Sequence, residues 1–231
     1  MSRYRLVTSE LFRTYRPVAL WFWSIMIVGV AIGSTVVNLV TEPKFSLWLV
    51  VVGASAKWWL GVVGVLLVSL HLRQFVANGI TRRDFMTGMA VFGLAGSLLT
   101  ALIVPIGHAL EQLLLGIAGP LPPDYPALSA GAAALEFGHV LPASLAFFVA
   151  GATATAGFYR YGAWGGLALV VPAVLPIGFA EVLLGVDQHG GFDSRFVPYA
   201  AAAALSLVVT GLVALLHERE MRHVAIRRGP A

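Results

Sequence analysis

The feature that most restricts what this chain can fold into is the repetition of long apolar runs, several of them about 20 residues or more, each enough to cross roughly 30 Å of hydrocarbon. Inside a bilayer every backbone N–H and C=O must find its partner within the protein, so only helices and closed barrels span it. Barrel strands alternate polar and apolar residues, and these runs do not. The runs therefore predict an all-α membrane protein, a single transmembrane domain over residues 1–231. Charge agrees: 11% of the residues are charged, against about 25% in ordinary soluble domains. Cysteine is absent, which removes disulfides, thiol catalysis and thiolate metal sites from consideration. The net charge of +4 does not call for nucleic acid, because the basic residues flank apolar runs, where membrane topology accounts for them.

Taken in order, residues 1–17 place Arg3, Arg5, Arg13 and Arg16 among Tyr4, Leu6, Leu11, Phe12 and Tyr15. This is the pattern of an amphipathic helix lying in the interface, with Pro17 closing it. The first span is expected over 18–40, too long for the apolar core of a signal peptide. The run from Phe45 to Leu72 carries Lys57 in its middle, where a charge costs about 2.5 to 3.5 kcal/mol. A second span over 58–77 puts Lys57 at the outer interface and makes Phe45–Ala56 an interfacial or re-entrant segment. The competing arrangement is one long tilted helix with Lys57 facing a polar interior. Further spans are expected over 89–117, 135–158, 163–185 and 197–216. The Pro-rich loop Gly119 to Pro126 follows the third, Tyr159-Arg160-Tyr161-Gly162 makes a tight inner turn, a Gly-rich loop covers Asp187 to Asp193, and 217–231 forms a basic tail.

With six spans, one side receives Arg3, Arg5, Arg13, Arg16, Arg73, Arg82, Arg83, Arg160, Arg219, Arg222, Arg227 and Arg228. The other receives only Lys44, Lys57 and Arg195. The positive-inside rule then places both termini in the cytoplasm of a cell whose inner (cytoplasmic) membrane holds the chain. No repeat of fixed period and no inverted-repeat signature is visible, which disfavours a secondary transporter.

Between the second and third spans lies a polar island, Asn78-Gly79-Ile80-Thr81-Arg82-Arg83-Asp84-Phe85-Met86-Thr87-Gly88. Asn-Gly is a turn signal, and Thr81 with Asp84 three residues on forms a helix cap. A short helix is expected over 81–88, too short to cross a membrane and presenting Arg82 and Arg83 beside Phe85 and Met86. Six spans with both ends inside, a basic amphipathic N-terminal helix and this Gly-Ile-Thr-Arg-Arg-Asp-Phe sequence resemble permease subunits of the ABC-2 type of ABC transporter. That resemblance implies an exporter whose short coupling helix, Thr81, Arg82, Arg83, Asp84, Phe85 and Met86, docks into a cytoplasmic ATP-binding subunit. It also implies a second permease, either another copy or a relative. The chain has no G-x-x-x-x-G-K-[ST] loop, and its only lysines are Lys44 and Lys57, so ATP and Mg would belong to the partner. The bland reading of Arg82 and Arg83 is topology and attraction to anionic lipid.

A second constellation lies near the outer ends of the later spans. His108-x-x-Glu111 and Glu136-x-x-His139 each share one helix face, and Glu181 is placed to join them. Three readings follow: polar groups satisfied at a wet interface, the lining of a substrate exit, or a metal site built from His108, Glu111, Glu136 and His139. The alternatives to an ABC permease are a membrane-embedded metal or redox protein or enzyme using this cluster, and a secondary transporter with Lys57 or Glu181 in proton coupling.

Overall fold

A computed structural model describes residues 2–41, 44–186, 192–194 and 196–222. The helices are α1 (Arg3–Val40), α2 (Leu47–Leu66), α3 (Leu72–Ala77), α4 (Arg82–Ala118), α5 (Ala130–Leu183) and α6 (Tyr199–Arg222). A π-helical turn, Leu67–His71, joins α2 to α3 without a break, making one rod from Leu47 to Ala77. Among the described residues, five helices are long and apolar enough to cross a membrane. The chain is a multi-pass helical membrane protein.

The elements are longer than the sequence suggests, for identifiable reasons. α1 is continuous over 38 residues and runs straight through Pro17, so no separate interfacial helix ends there. A proline removes the hydrogen bond to the carbonyl four residues back and crowds it with its ring, but here that carbonyl belongs to the exposed Arg13, where polar surroundings can replace the lost donor. The first turns of α1 nevertheless behave as an amphipathic strip. Val7, Leu11 and Tyr15 are buried while Arg3, Arg5, Arg13 and Arg16 are exposed. Near Tyr4 and Val7 this strip lies against Gly88, with Thr8 Oγ1 donating to the Gly88 carbonyl at 3.2 Å. Phe12 and Tyr15 meet Phe92, with ring centroids 4.9 and 5.6 Å apart. Contacts that advance from Tyr4 to Tyr15 on α1 advance only from Gly88 to Phe92 on α4, so α1 begins by crossing α4 obliquely.

The short helix expected over 81–88 is the opening of α4 rather than a separate element. Thr81 caps it as expected: Oγ1 accepts from the Asp84 N–H at 3.1 Å and donates to Asp84 Oδ2 at 2.6 Å. Nothing downstream then stops the helix, because an isolated Gly88 costs only about 1 kcal/mol.

α5 is 54 residues long and turns back at Gly162, whose φ of 74° is open to glycine and strained for other residues. Ala143 and Ala146 on the first arm pack against Ala180 and Ile177 on the second, positions nearly equidistant from Gly162. The arms, 130–161 and 163–183, are therefore antiparallel. Arg160 donates to Glu220 Oε2 at 2.8 Å and Tyr161 donates to the same oxygen at 2.7 Å, which pins the turn to α6. α6 itself extends to Arg222, so 217–222, expected as tail, are helical. At the opposite end Leu184–Val186 pairs antiparallel with Phe192–Ser194. This small ribbon ends the helix two residues before the expected 185, and the loop positions 187–191 lie outside the described residues, as do Arg195, Arg227 and Arg228.

One end of the bundle is basic. There Arg3 reaches the Gly79 carbonyl at 3.4 Å and Arg82 the Arg222 carbonyl at 3.3 Å, alongside the Arg160–Glu220 pair. At the other end Lys44 lies 4.0 Å from Asp124. Successive long segments alternate between these ends. Where α2 meets α5 the backbones touch: a Cβ on Gly64 would lie 2.3 Å from the Phe148 carbonyl oxygen, and one on Gly151 2.2 Å from that of Gly61. Small residues at such crossings are how helices associate in lipid, where no hydrophobic driving force separates helix from solvent.

Candidate functional site

Two regions carry chemistry: the capped start of α4 at the basic end, and a stack of ionisable side chains buried toward the opposite end.

At the start of α4, Arg83 and Thr87 are exposed and Arg82, Asp84 and Met86 half-buried. Phe85 is not available to a partner. It is 0% exposed and sits in this chain's own core with Val7, Leu11, Leu72 and Met89, its ring 5.6 Å from that of Phe75. Phe85 is therefore not the apolar knob expected, whereas Thr81, Arg82, Arg83, Asp84 and Met86 remain accessible at this edge. The reason is the oblique crossing of α1, which covers the face of α4 that Phe85 occupies.

The buried stack departs further from expectation, because the side chains predicted to converge are divided among three separate groups. Glu111, 4% exposed, accepts from four donors: Ser34 Oγ at 2.6 Å, the Trp48 N–H at 3.2 Å, Tyr125 OH at 3.0 Å and Ser46 Oγ. A carboxylate has about four lone-pair sites, so Glu111 is saturated as an ionised acceptor. It ties α1, the start of α2, α4 and the 119–129 loop together. Burial, reinforced by the adjacent Glu111 charge, pushes the Tyr125 phenol's pKa up, which keeps it a donor.

His108 Nδ1 lies 2.6 Å from Glu136 Oε1, both side chains buried. The remaining His108 Nε2 and Glu136 Oε2 have no hydrogen-bond partner among the described residues. Glu181 does not join this pair. It accepts from Lys57 Nζ at 2.6 Å, linking α2 to the second arm of α5. Lys57 is 7% exposed and lies inside a continuous helix, so the competing arrangement of one long helix with an inward-facing lysine replaces the interfacial lysine and re-entrant 45–56 segment. What reverses the expectation is the compensating carboxylate, 124 residues away in sequence. His139, 1% exposed, lies within electrostatic reach of Lys57.

Counted along the helices at 1.5 Å per residue, Glu181 and Lys57 stand about 30 Å from the basic end, His139 about 34 Å and His108 with Glu136 about 39 Å. The ionisable groups thus form a ladder in the half of the bundle away from the arginines, with Lys57–Glu181 and His108–Glu136 each paired across two helices. Among the described residues, no three His, Asp or Glu side chains come together as a metal would require. The metal arrangement of His108, Glu111, Glu136 and His139 is therefore not formed: Glu111 is occupied by its four donors and His108 meets Glu136 alone. Sequence reasoning missed Ser34, Ser46 and Tyr125, whose only signal was a hydroxyl in or beside an apolar run.

No protein-family model matches the chain, nor does any curated protein or solved structure.

Proposed function

We propose that this chain is the membrane-spanning permease subunit of an ATP-driven ABC exporter, with the two arms of α5 counted as separate crossings to give six. Both termini then face the cytoplasm of an inner membrane, ATP and Mg are bound by a separate cytoplasmic ATPase, and a second permease, the same or related, completes the pathway. The observation that carries this reading is the start of α4. A capped helix terminus with Arg83 exposed lies at the basic end and continues unbroken into the rod that bears His108, about 39 Å away. Force applied at Arg82, Arg83 and Met86 is therefore carried along one helix, through Pro105, to the buried ladder. A separate coupling helix on a flexible joint would lack that directness. The Gly-Ile-Thr-Arg-Arg sequence and the absence of a P-loop support the same reading. The His108–Glu136 and Lys57–Glu181 pairs are then the polar contacts that hold the outer half closed and separate when the pathway opens.

Arg83→Glu with Met86→Ala reverses a rim charge and trims a half-buried side chain at the margin of the core, leaving the fully buried residues in place. It is expected to lower the ATPase recovered with the affinity-purified permease by about tenfold or more, equivalent to about 1.4 kcal/mol. ATP-dependent transport should fall in parallel. Unchanged recovery and transport would contradict docking at this edge. Phe85→Ala is the wrong test, because it empties the chain's own core.

A further inference from the structure

At the basic end a groove of about 960 Å³ opens between α4, α5 and α6, at the upper end of the roughly 300 to 1,000 Å³ of small-molecule sites. Its rim carries Arg82, Arg83 and Arg222, opposed among the described residues only by Glu218, which Arg222 engages at 2.6 Å. Its walls are apolar, among them Leu94, Phe148 and Leu207. From Arg82 to Leu94 the wall rises about 18 Å, and from Arg222 to Leu207 about 22 Å. One leaflet of a bilayer, headgroups included, is about 20 to 22 Å thick. One turn and a half inside the rim, His217 lines the groove at 4% exposure with neither ring nitrogen hydrogen-bonded among the described residues. A buried imidazole in that state lacks the partner that such groups ordinarily have.

We propose that this groove binds one molecule of an anionic phospholipid from the adjacent leaflet. Its phosphate sits among Arg82, Arg83 and Arg222, a glycerol ester carbonyl accepts from His217, and an acyl chain follows the apolar wall. A soluble anion would use the rim and leave the wall empty. A neutral lipid would fill the wall and leave three guanidiniums facing one carboxylate. An anionic amphiphile satisfies both, and because Arg82 and Arg83 also form the proposed docking edge, lipid binding is tested on the chain without its ATPase.

The test is native mass spectrometry of the purified full chain titrated with phosphatidylglycerol or phosphatidylcholine of identical acyl chains. Phosphatidylglycerol should be retained, as a single molecule, about tenfold more tightly. Arg82→Gln with Arg83→Gln should remove most of that preference, whereas Arg5→Gln with Arg16→Gln, the same change of charge outside the groove, should leave it intact. Gly211 lines the groove, and a Cβ there meets nothing within 4 Å. Gly211→Trp should therefore fill the groove and abolish retention with the helical circular dichroism unchanged. Excess inorganic phosphate should leave the lipid bound. Equal retention of the two lipids, an equal effect of the Arg5 and Arg16 pair, or displacement by phosphate would overturn the proposal. So would finding a second copy of the chain in place of lipid, dispersed by Gly211→Trp.

Discussion

Replacing Glu111 with leucine is expected to destabilise the protein more than any other single change in the outer half, by about 5 kcal/mol. Each hydrogen bond to a charged acceptor contributes about 1.5 to 3 kcal/mol, and a buried donor left without a partner costs a further 1 to 3. Four donors converge on this carboxylate from three parts of the chain, so leucine removes the acceptor and leaves all four with nothing to meet. Relaxation and non-additivity bring the sum down to the figure given. Glu111→Gln keeps one accepting oxygen and should cost roughly half as much. Tyr125→Phe deletes one donor while leaving the carboxylate satisfied by three, and should cost about 1.5 kcal/mol. Thermal unfolding of the detergent-solubilised chain, followed by size-exclusion recovery, ranks the three. A Glu111→Leu protein that melts with the wild type would show that the carboxylate is no clamp.

Glu181→Leu should cost about 3 kcal/mol, and the double substitution Lys57→Met with Glu181→Leu should recover most of that loss. Breaking a buried pair by deleting one partner costs about 3 to 5 kcal/mol because the other charge remains uncompensated, while exchanging both for apolar residues is often neutral. Glu181 is 39% exposed whereas Lys57 is 9% exposed by side chain, so the loss falls at the low end of that range and comes from stranding the lysine. The order of effects is therefore specific: the single carboxylate deletion is worse than the double. If the double were as unstable as Glu181→Leu alone, the pair would contribute through shape and not charge. In the exporter reading the stable double should insert normally and transport differently, since its outer half can no longer be held by this ion pair.

The legible parts of the molecule were those written in local order. Apolar length gave the helices, Asn78-Gly79 and Thr81 gave the start of α4, and Tyr159 to Gly162 gave the turn between the arms of α5. Continuity was less legible. Pro17 marks a plausible stop, and only tertiary packing of Val7, Leu11 and Tyr15 against α4 makes one helix the better outcome. Long-range charge compensation was legible only as an alternative, a long helix with Lys57 facing a polar interior, and without its partner. Lys57 looked costly in the middle of a run because Glu181 is far away in sequence, and the i,i+3 spacing of His108 with Glu111 put both on one face without revealing that each turns to a different partner. Spacing reports which side chains share a face, whereas partners are set by how faces cross. Phe85 shows the same limit: its place in the motif suggested exposure, and the oblique path of α1 buried it.

The central claim, that a cytoplasmic ATPase docks on the start of α4, is tested most directly by placing a photo-crosslinking amino acid at position 83 and irradiating native membranes, with the same probe at the exposed Val36 near the opposite end as reference. The account predicts an adduct at 83, absent at 36, whose second chain carries a P-loop and whose yield changes on adding ATP. Adducts at 83 confined to lipid, or a P-loop chain captured equally from position 36, would contradict it.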